Sequence, residues 1–407
     1  MVTTGVLGGR WRASVTPWGG IEPWLISGAH VSPALQWHIA ADDRWHSPER
    51  EAAVRQTRLE GTAVVETRVR IPNGDAVQRI YSVPDAGGLT IIEVENESPL
   101  AIAVAFSHGR LLSVRPPSAP IEGIDLPAGS VAFPVGHHST LTVAIAHDGS
   151  GPGVLPTGLP PVAGVVRGWL AMVERASRLV VPDAALAEHV VSERCELALA
   201  GPEHPDDDPV GFLLGVGQLV RMGERADPWL PDVAAALEAA YKAAPPDWAL
   251  AAAFDAVDTV LVAADDARAR KDLAAMRATV VLPSDLPAEA PTETARVVAW
   301  HERRLVLPSA SAASLFPVGL PAAWAGNNFE VYGLPNGVGG TVSFAVRWHG
   351  ARPAVLWEQT GEATTLTAPV LAPDWRVADA KGETLWPEPV GLPHASIEID
   401  PDGGSFS

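Results

Sequence analysis

The sequence predicts a multidomain β + α protein: an N-terminal antiparallel β-sandwich over residues 1–150, a central antiparallel helical-hairpin domain over 160–280, and a small antiparallel β-domain over 292–400. Three observations carry this. Apolar residues alternate with period two up to about residue 150, recur at helical spacing to about 280, and then return to alternation. Stretches rich in glycine and proline, 149–161 and 283–291, separate the three parts as linkers. At 407 residues the chain also exceeds the roughly 250 to 300 at which a single core stops growing.

In the first part, the alternating runs 64–71 and 76–83 flank Asn73-Gly74, whose tolerance of positive φ predicts a type I′ hairpin. A second hairpin is expected from 89–95 and 101–106 around Asn96-Glu97-Ser98-Pro99, and further strands at 130–134 and 139–146. Hairpin-linked antiparallel strands argue for a sandwich rather than a parallel sheet.

In the second part, Val166, Trp169, Leu170 and Val173 share one helical face. The next segment opens with Pro182 in its first turn and stops at Gly201-Pro202. Asp208-Pro209, Asp227-Pro228 and Asp247-Trp248 each read as a helix start, with the carboxylate accepting orphan amides. A last helix spans 265–278. About six helices on short loops make an incomplete α/α toroid, roughly half of an (α/α)6 ring. Gly211, Gly215 and Gly217 fall in an apolar helix, where they serve close packing rather than phosphate binding.

In the third part, strands are expected at 296–306, 330–332, 341–348, 354–359 and 363–366, with turns at Asn336-Gly337 and His349-Gly350. Pairing of the two Trp-bearing strands would bring Trp348 near Trp357 and turn Glu358 to the other face. The tail 400–407 is expected to fray.

Composition narrows the function. A net charge of −19 with no Lys/Arg stripe excludes nucleic acid and anionic membrane surfaces as partners. The lone Cys195 permits no intramolecular disulfide and no cysteine zinc site, and its helical neighbours predict a buried, inert thiol. With no apolar leader in the first 15 residues and no apolar run of about 18, a cytoplasmic, membrane-free location is expected. No metal site is expected either: His301-Glu302-Arg303-Arg304 lacks the second histidine of a zinc motif, Leu305 standing there, and His137-His138 on a strand would face opposite ways. Phosphate-loop and dinucleotide motifs are absent, so no cofactor is expected.

The chemistry-bearing residues crowd the start of the chain. Five of the 14 tryptophans lie within the first 45 residues. An indole face suits the C–H face of a sugar ring, so Trp18, Trp24, Trp37 and Trp45, with His38, are the candidate ligand-binding residues. Glu22, Asp42 and Asp43 among them are the candidate catalytic carboxyls, since glycoside hydrolysis needs one group to protonate and another to activate water or attack. Asp42, Asp43 and Arg44 equally suit a solvated surface turn with a local ion pair.

The β-α-β order resembles the glycoside hydrolases and phosphorylases that join an N-terminal supersandwich to an (α/α)6 barrel, glucoamylase-like proteins included. The resemblance covers the plan of the chain, without a diagnostic motif, and implies an acid on a loop between helices, near Glu203, Asp206, Asp207 or Asp208. A helical part of roughly 120 residues is too short for twelve helices, so one chain cannot close the ring. Two readings follow. One is a carbohydrate-active protein, hydrolysing or binding a glycan between the sandwich and the helices. The other is a noncatalytic scaffold whose tryptophans and helices meet a partner protein or a second copy of the chain.

Overall fold

The structure is a computed structural model that describes residues 1–28, 33–118, 126–283, 285–309 and 311–389. Its contacts gather the chain into two compact units: residues 1–173 with 191–201, and 174–190 with 202–407. Most of the helical segment belongs with the C-terminal strands.

The N-terminal unit holds three antiparallel sheets around one core. The largest has seven strands in the order Gly153–Val154, Leu112–Ser113, Thr140–Ala146, Leu89–Asn96, Gly74–Val83, Val65–Ile71, Val54–Arg58, with a single parallel pairing at the short Gly153–Val154 edge. A four-stranded sheet runs Val131–Val135, Ile102–Phe106, Trp37–Ala40, Trp45–His46, and a three-stranded meander opens the chain at Val2–Gly5, Trp11–Val15 and Ile21–Leu25. Inward residues of all three, among them Val15, Ile39, Ile80, Ile92 and Val104, are fully buried together.

Two turns differ from expectation. Ile71 pairs with Gly74, so Pro72 and Asn73 make the connection and only Asn73 takes positive φ, at 62°. A type I′ turn needs both central residues positive, which proline forbids. Gly74 serves a different need: a Cβ there would sit 2.8 Å from the backbone of Ser98. The expected second hairpin is a crossing between sheets, for Leu89–Asn96 lies in the seven-stranded sheet and Ile102–Phe106 in the four-stranded one. Fully buried Asn96 shapes that corner, its amide donating to the Leu100 and Gly136 carbonyls and its oxygen accepting from the Ser98 amide.

Seven helices are present among the described residues: α1 Val162–Val173, α2 Ala184–Ala200, α3 Pro209–Met222, α4 Leu230–Ala243, α5 Trp248–Ala263, α6 Ala267–Arg277 and α7 Thr294–Leu305. Aspartates cap as expected at α3 and α5, where Asp208 accepts from the Gly211 amide and Asp247 from Ala249 and Leu250. At α6 the cap is Asp266, and at the start of α2 it is Asp183 rather than a first-turn Pro182. Asp227 opens only a short 3-10 turn before α4 and makes no side-chain cap. α7 replaces the strand expected at 296–306: Ala295, Val298, Ala299, Glu302 and Leu305 recur at helical spacing and are all buried.

α3 is buried almost all round and is the hub of the helical layer. A Cβ on Gly217 would stand 2.7 Å from the Ala256 methyl, so glycine sets how closely α3 meets α5. The strands of this unit form a five-stranded sheet, Arg178–Val180, Phe329–Pro335, Thr341–His349, Arg352–Thr360, Lys381–Leu385, and a four-stranded one, Val306–Pro308, Ala312–Leu315, Thr365–Ala368, Ala372–Val377. Trp357 lies opposite Phe344, not Trp348, and is buried against Trp375, while Glu358 points the other way and is exposed as expected. The tail 400–407 lies outside the described residues.

No helix among the described residues is long and apolar enough to cross a membrane, and no group of three or more His, Cys, Asp or Glu among them could hold a metal ion. Cys195 is fully buried in α2, and burial pushes its thiol up to about 12, as an inert cysteine requires.

Candidate functional site

The residues singled out at the start of the chain are spread over the strands Ile21–Leu25, Trp37–Ala40 and Trp45–His46 and the turns beside them. Trp37 is a core residue, 2% exposed, with its indole N–H donating to the Trp18 carbonyl, so it offers no face to a sugar. Trp18, Trp24 and Trp45 are half-buried, and the Trp24 N–H is spent on Ser14. Glu22 lies on strand Ile21–Leu25, opposite Ser14.

Asp42 and Asp43 are exposed in the turn between Trp37–Ala40 and Trp45–His46. Asp43 accepts from the Arg44 amide at 2.8 Å and bonds His46 Nε2 at 3.0 Å, and the His46 bond holds its carboxyl below the usual range. Arg44 makes two bonds to Glu51, at 2.6 and 2.9 Å, rather than pairing with Asp42 or Asp43. His38 shares a 3.0 Å hydrogen bond with Ser47, and burial lowers its pKa. These residues make a turn with local charge pairs. A general acid needs the opposite electrostatics, a carboxyl raised by burial.

The loop implicated by the family resemblance behaves alike. Glu203, Asp206 and Asp207 are exposed, while Asp208 caps α3 and is bound by Arg296 of α7, which holds its carboxyl low.

Ionised side chains converge instead in the C-terminal unit. On α5, Asp255 and Asp258 stand three residues apart on one face, and on α6, Arg270 and Arg277 stand two turns apart. Because α5 and α6 run antiparallel, Asp258 meets Arg270 at 2.7 Å and Asp255 meets Arg277 at 2.5 Å. Arg303 of α7 reaches the second oxygen of Asp255, also at 2.5 Å. One buried carboxylate thus serves two guanidinium groups. One residue earlier on α7, Glu302 turns toward α3, where it takes both Nη atoms of Arg221 at 2.7 and 2.9 Å, Gln218 at 3.0 Å and Ser177 at 2.8 Å.

These clusters border connected hollows. The largest, an open groove of about 1010 Å3, has walls from α5 (Ala251, Asp258), α6 (Arg270, Leu273, Ala274, Arg277), α7 (Arg303) and the strand residues Leu307, Pro308 and Ser314. A cavity of about 240 Å3 shares Asp258 and Gly337 with it, and a crevice of about 50 Å3 shares Arg303 and Pro308. The rim loop is held by fully buried Asn336, whose oxygen accepts from the Val338 and Gly340 amides and whose amide group donates to Gln359 and to the Glu362 carbonyl. No tryptophan lines any of these hollows, nor the small one beside His108 in the N-terminal unit.

Sequence reasoning missed this site. Its ion pairs join residues 12 to 81 positions apart, and α7 read as a strand. The signal was present in the helical spacing of Asp255 with Asp258 and of Arg270 with Arg277.

Comparison with protein-family models gives no match, and comparison with curated proteins gives none either.

Proposed function

We propose that this chain binds a small polar molecule in the groove of its C-terminal unit. The observation that supports the reading is the groove itself: about 1010 Å3 of open space on which charged side chains of three helices and the residues of two strands converge. Ligand sites are typically concave, largely apolar, and fitted with a few convergent polar groups. The groove has that composition, with Leu273, Leu282, Leu307 and Val318 beside Arg277, Arg303 and Asp258. Pairing with Asp255 and Asp258 fixes the positions of Arg277, Arg303 and Arg270 in the groove wall, so that a ligand would meet side chains already held in place.

A glycan remains the ligand class suggested by the tryptophan-rich opening of the chain. In this groove a sugar would be held by Asp, Glu, Arg and Ser side chains, without indole stacking.

The test is calorimetric unfolding of the whole chain with neutral sugars, sugar acids, sugar phosphates and amino acids. A ligand at 100 times its Kd adds about 2.7 kcal/mol of stability. Ala274 is an exposed α6 residue in the groove wall, and Ala274→Trp obstructs the space without touching the core. A compound that raises Tm in the native chain and fails to do so in Ala274→Trp supports the proposal. A compound that stabilises both equally binds elsewhere and contradicts it.

A further inference from the structure

We infer that the groove takes an anion, a carboxylate or a phosphate monoester on an uncharged body, held by Arg303 and Arg277; this rests on the groove being the ligand site. Two guanidinium groups share the single carboxylate of Asp255, leaving a local surplus of one positive charge. Arg303 is 6% exposed and lines both the groove and the adjoining crevice. Its Nη1 is bonded to Asp255, but its Nε is buried without a hydrogen-bond partner. A buried donor on a charged group costs free energy if unsatisfied. The edge it occupies, Nε with Nη2, is the one that matches two oxygens of a carboxylate or phosphate.

Arg277, with a side chain 24% exposed, adds a second cation on the same carboxylate. The remaining charges do not cancel this surplus at contact range. Asp258 is matched by Arg270, and Asp285 and Glu362, which also line the groove, are exposed, so solvent screens them. Apolar walls from Leu273, Leu307 and Val318 fit an uncharged body attached to the anion.

The experiment titrates the intact chain calorimetrically with glucose, glucuronate and glucose 6-phosphate, and with inorganic phosphate and acetate as anions lacking the body. Expected is binding of glucuronate, glucose 6-phosphate or both in preference to glucose, weakened about tenfold or more by Arg277→Gln. Arg303→Lys, which keeps the charge and removes the Nε edge, should weaken the same probes. Should that core variant fail to fold, Arg277→Gln decides alone, because its partly exposed side chain can be exchanged with the fold checked by circular dichroism. Carboxylate and phosphate sources are told apart by which of the two sugar anions binds. Glucose binding as tightly as the anions, and blocked by Ala274→Trp, overturns the anion inference while leaving the groove as the site. Anion binding indifferent to Arg277→Gln also overturns it, and silence from every probe overturns both readings.

Discussion

Two charged clusters, one in each unit, use the same residue types to opposite effect. At the turn 42–46, Asp43, Arg44 and His46 are neighbours in sequence; Asp43 and Arg44 stand in solvent and pair with buried His46 and with Glu51 respectively. In the C-terminal unit, Asp255, Arg277 and Arg303 come from three helices and meet at a buried carboxylate, and the two arginines line a groove. Proximity in sequence produced a surface turn, and convergence across the fold produced a charged cluster beside a groove. A strand explains the first outcome, because consecutive side chains alternate between faces and a dense cluster such as 37–46 is split between core and surface. Trp37 and Ile39 went inward, and His38 went to the other face.

The largest effect that sharpens the contrast is on stability. Glu302→Ala strands the Arg221 guanidinium inside the helical layer and should cost about 3–5 kcal/mol in chemical denaturation. Trp37→Ala should cost a similar 3–5 kcal/mol through the cavity it leaves in the sandwich core. A loss below about 1 kcal/mol for either would mean that the side chain is not packed as described. Next comes Gly217→Val, which forces α3 and α5 apart at their closest approach and should cost about 1–3 kcal/mol.

Acid should weaken both units. Burial, reinforced by Arg12, lowers His147 to about 4, and burial beside His189 and Arg304 lowers His301 to about 4, both from 6.5. In that interval the unfolded chain binds more protons than the folded one, so stability is intact above about pH 6.5 and falls as pH drops toward 4. Tm measured across that range should decline with falling pH, less so in His147→Gln. A flat profile would show the imidazoles to be more exposed than the fold places them. The smallest effect belongs to Asp43→Asn, whose fully exposed carboxyl can be exchanged with no resolvable change in the denaturation midpoint. A change matching Glu302→Ala would erase the contrast between the clusters.

Much of the fold was legible in the sequence, because its signals are local. Period-two alternation located the strands around residues 64–83 and 341–359, and Asp208 and Asp247 marked their helices through the amides they cap. What escaped was set by distant partners. The step from Asn96 to Ile102 reads as a hairpin until the chain is seen to change sheets, since turn residues suit a sheet corner as well as a tight turn. α7 reads as a strand because Arg296-Val297-Val298-Ala299-Trp300 is rich in β-formers, yet burial against α3 and α5 outweighs that preference. The site was hidden for the same reason. Arg303 matters through a carboxylate 48 positions earlier, and no short-range pattern announces that pairing.

The proposal places binding in the groove of the C-terminal unit and not among the tryptophans at the start of the chain. Parallel calorimetric titrations of Ala274→Trp and Trp24→Ala with glucuronate and glucose 6-phosphate test it most directly. Binding should be lost in Ala274→Trp and kept in Trp24→Ala; binding lost in Trp24→Ala and kept in Ala274→Trp would move the ligand site to the tryptophans.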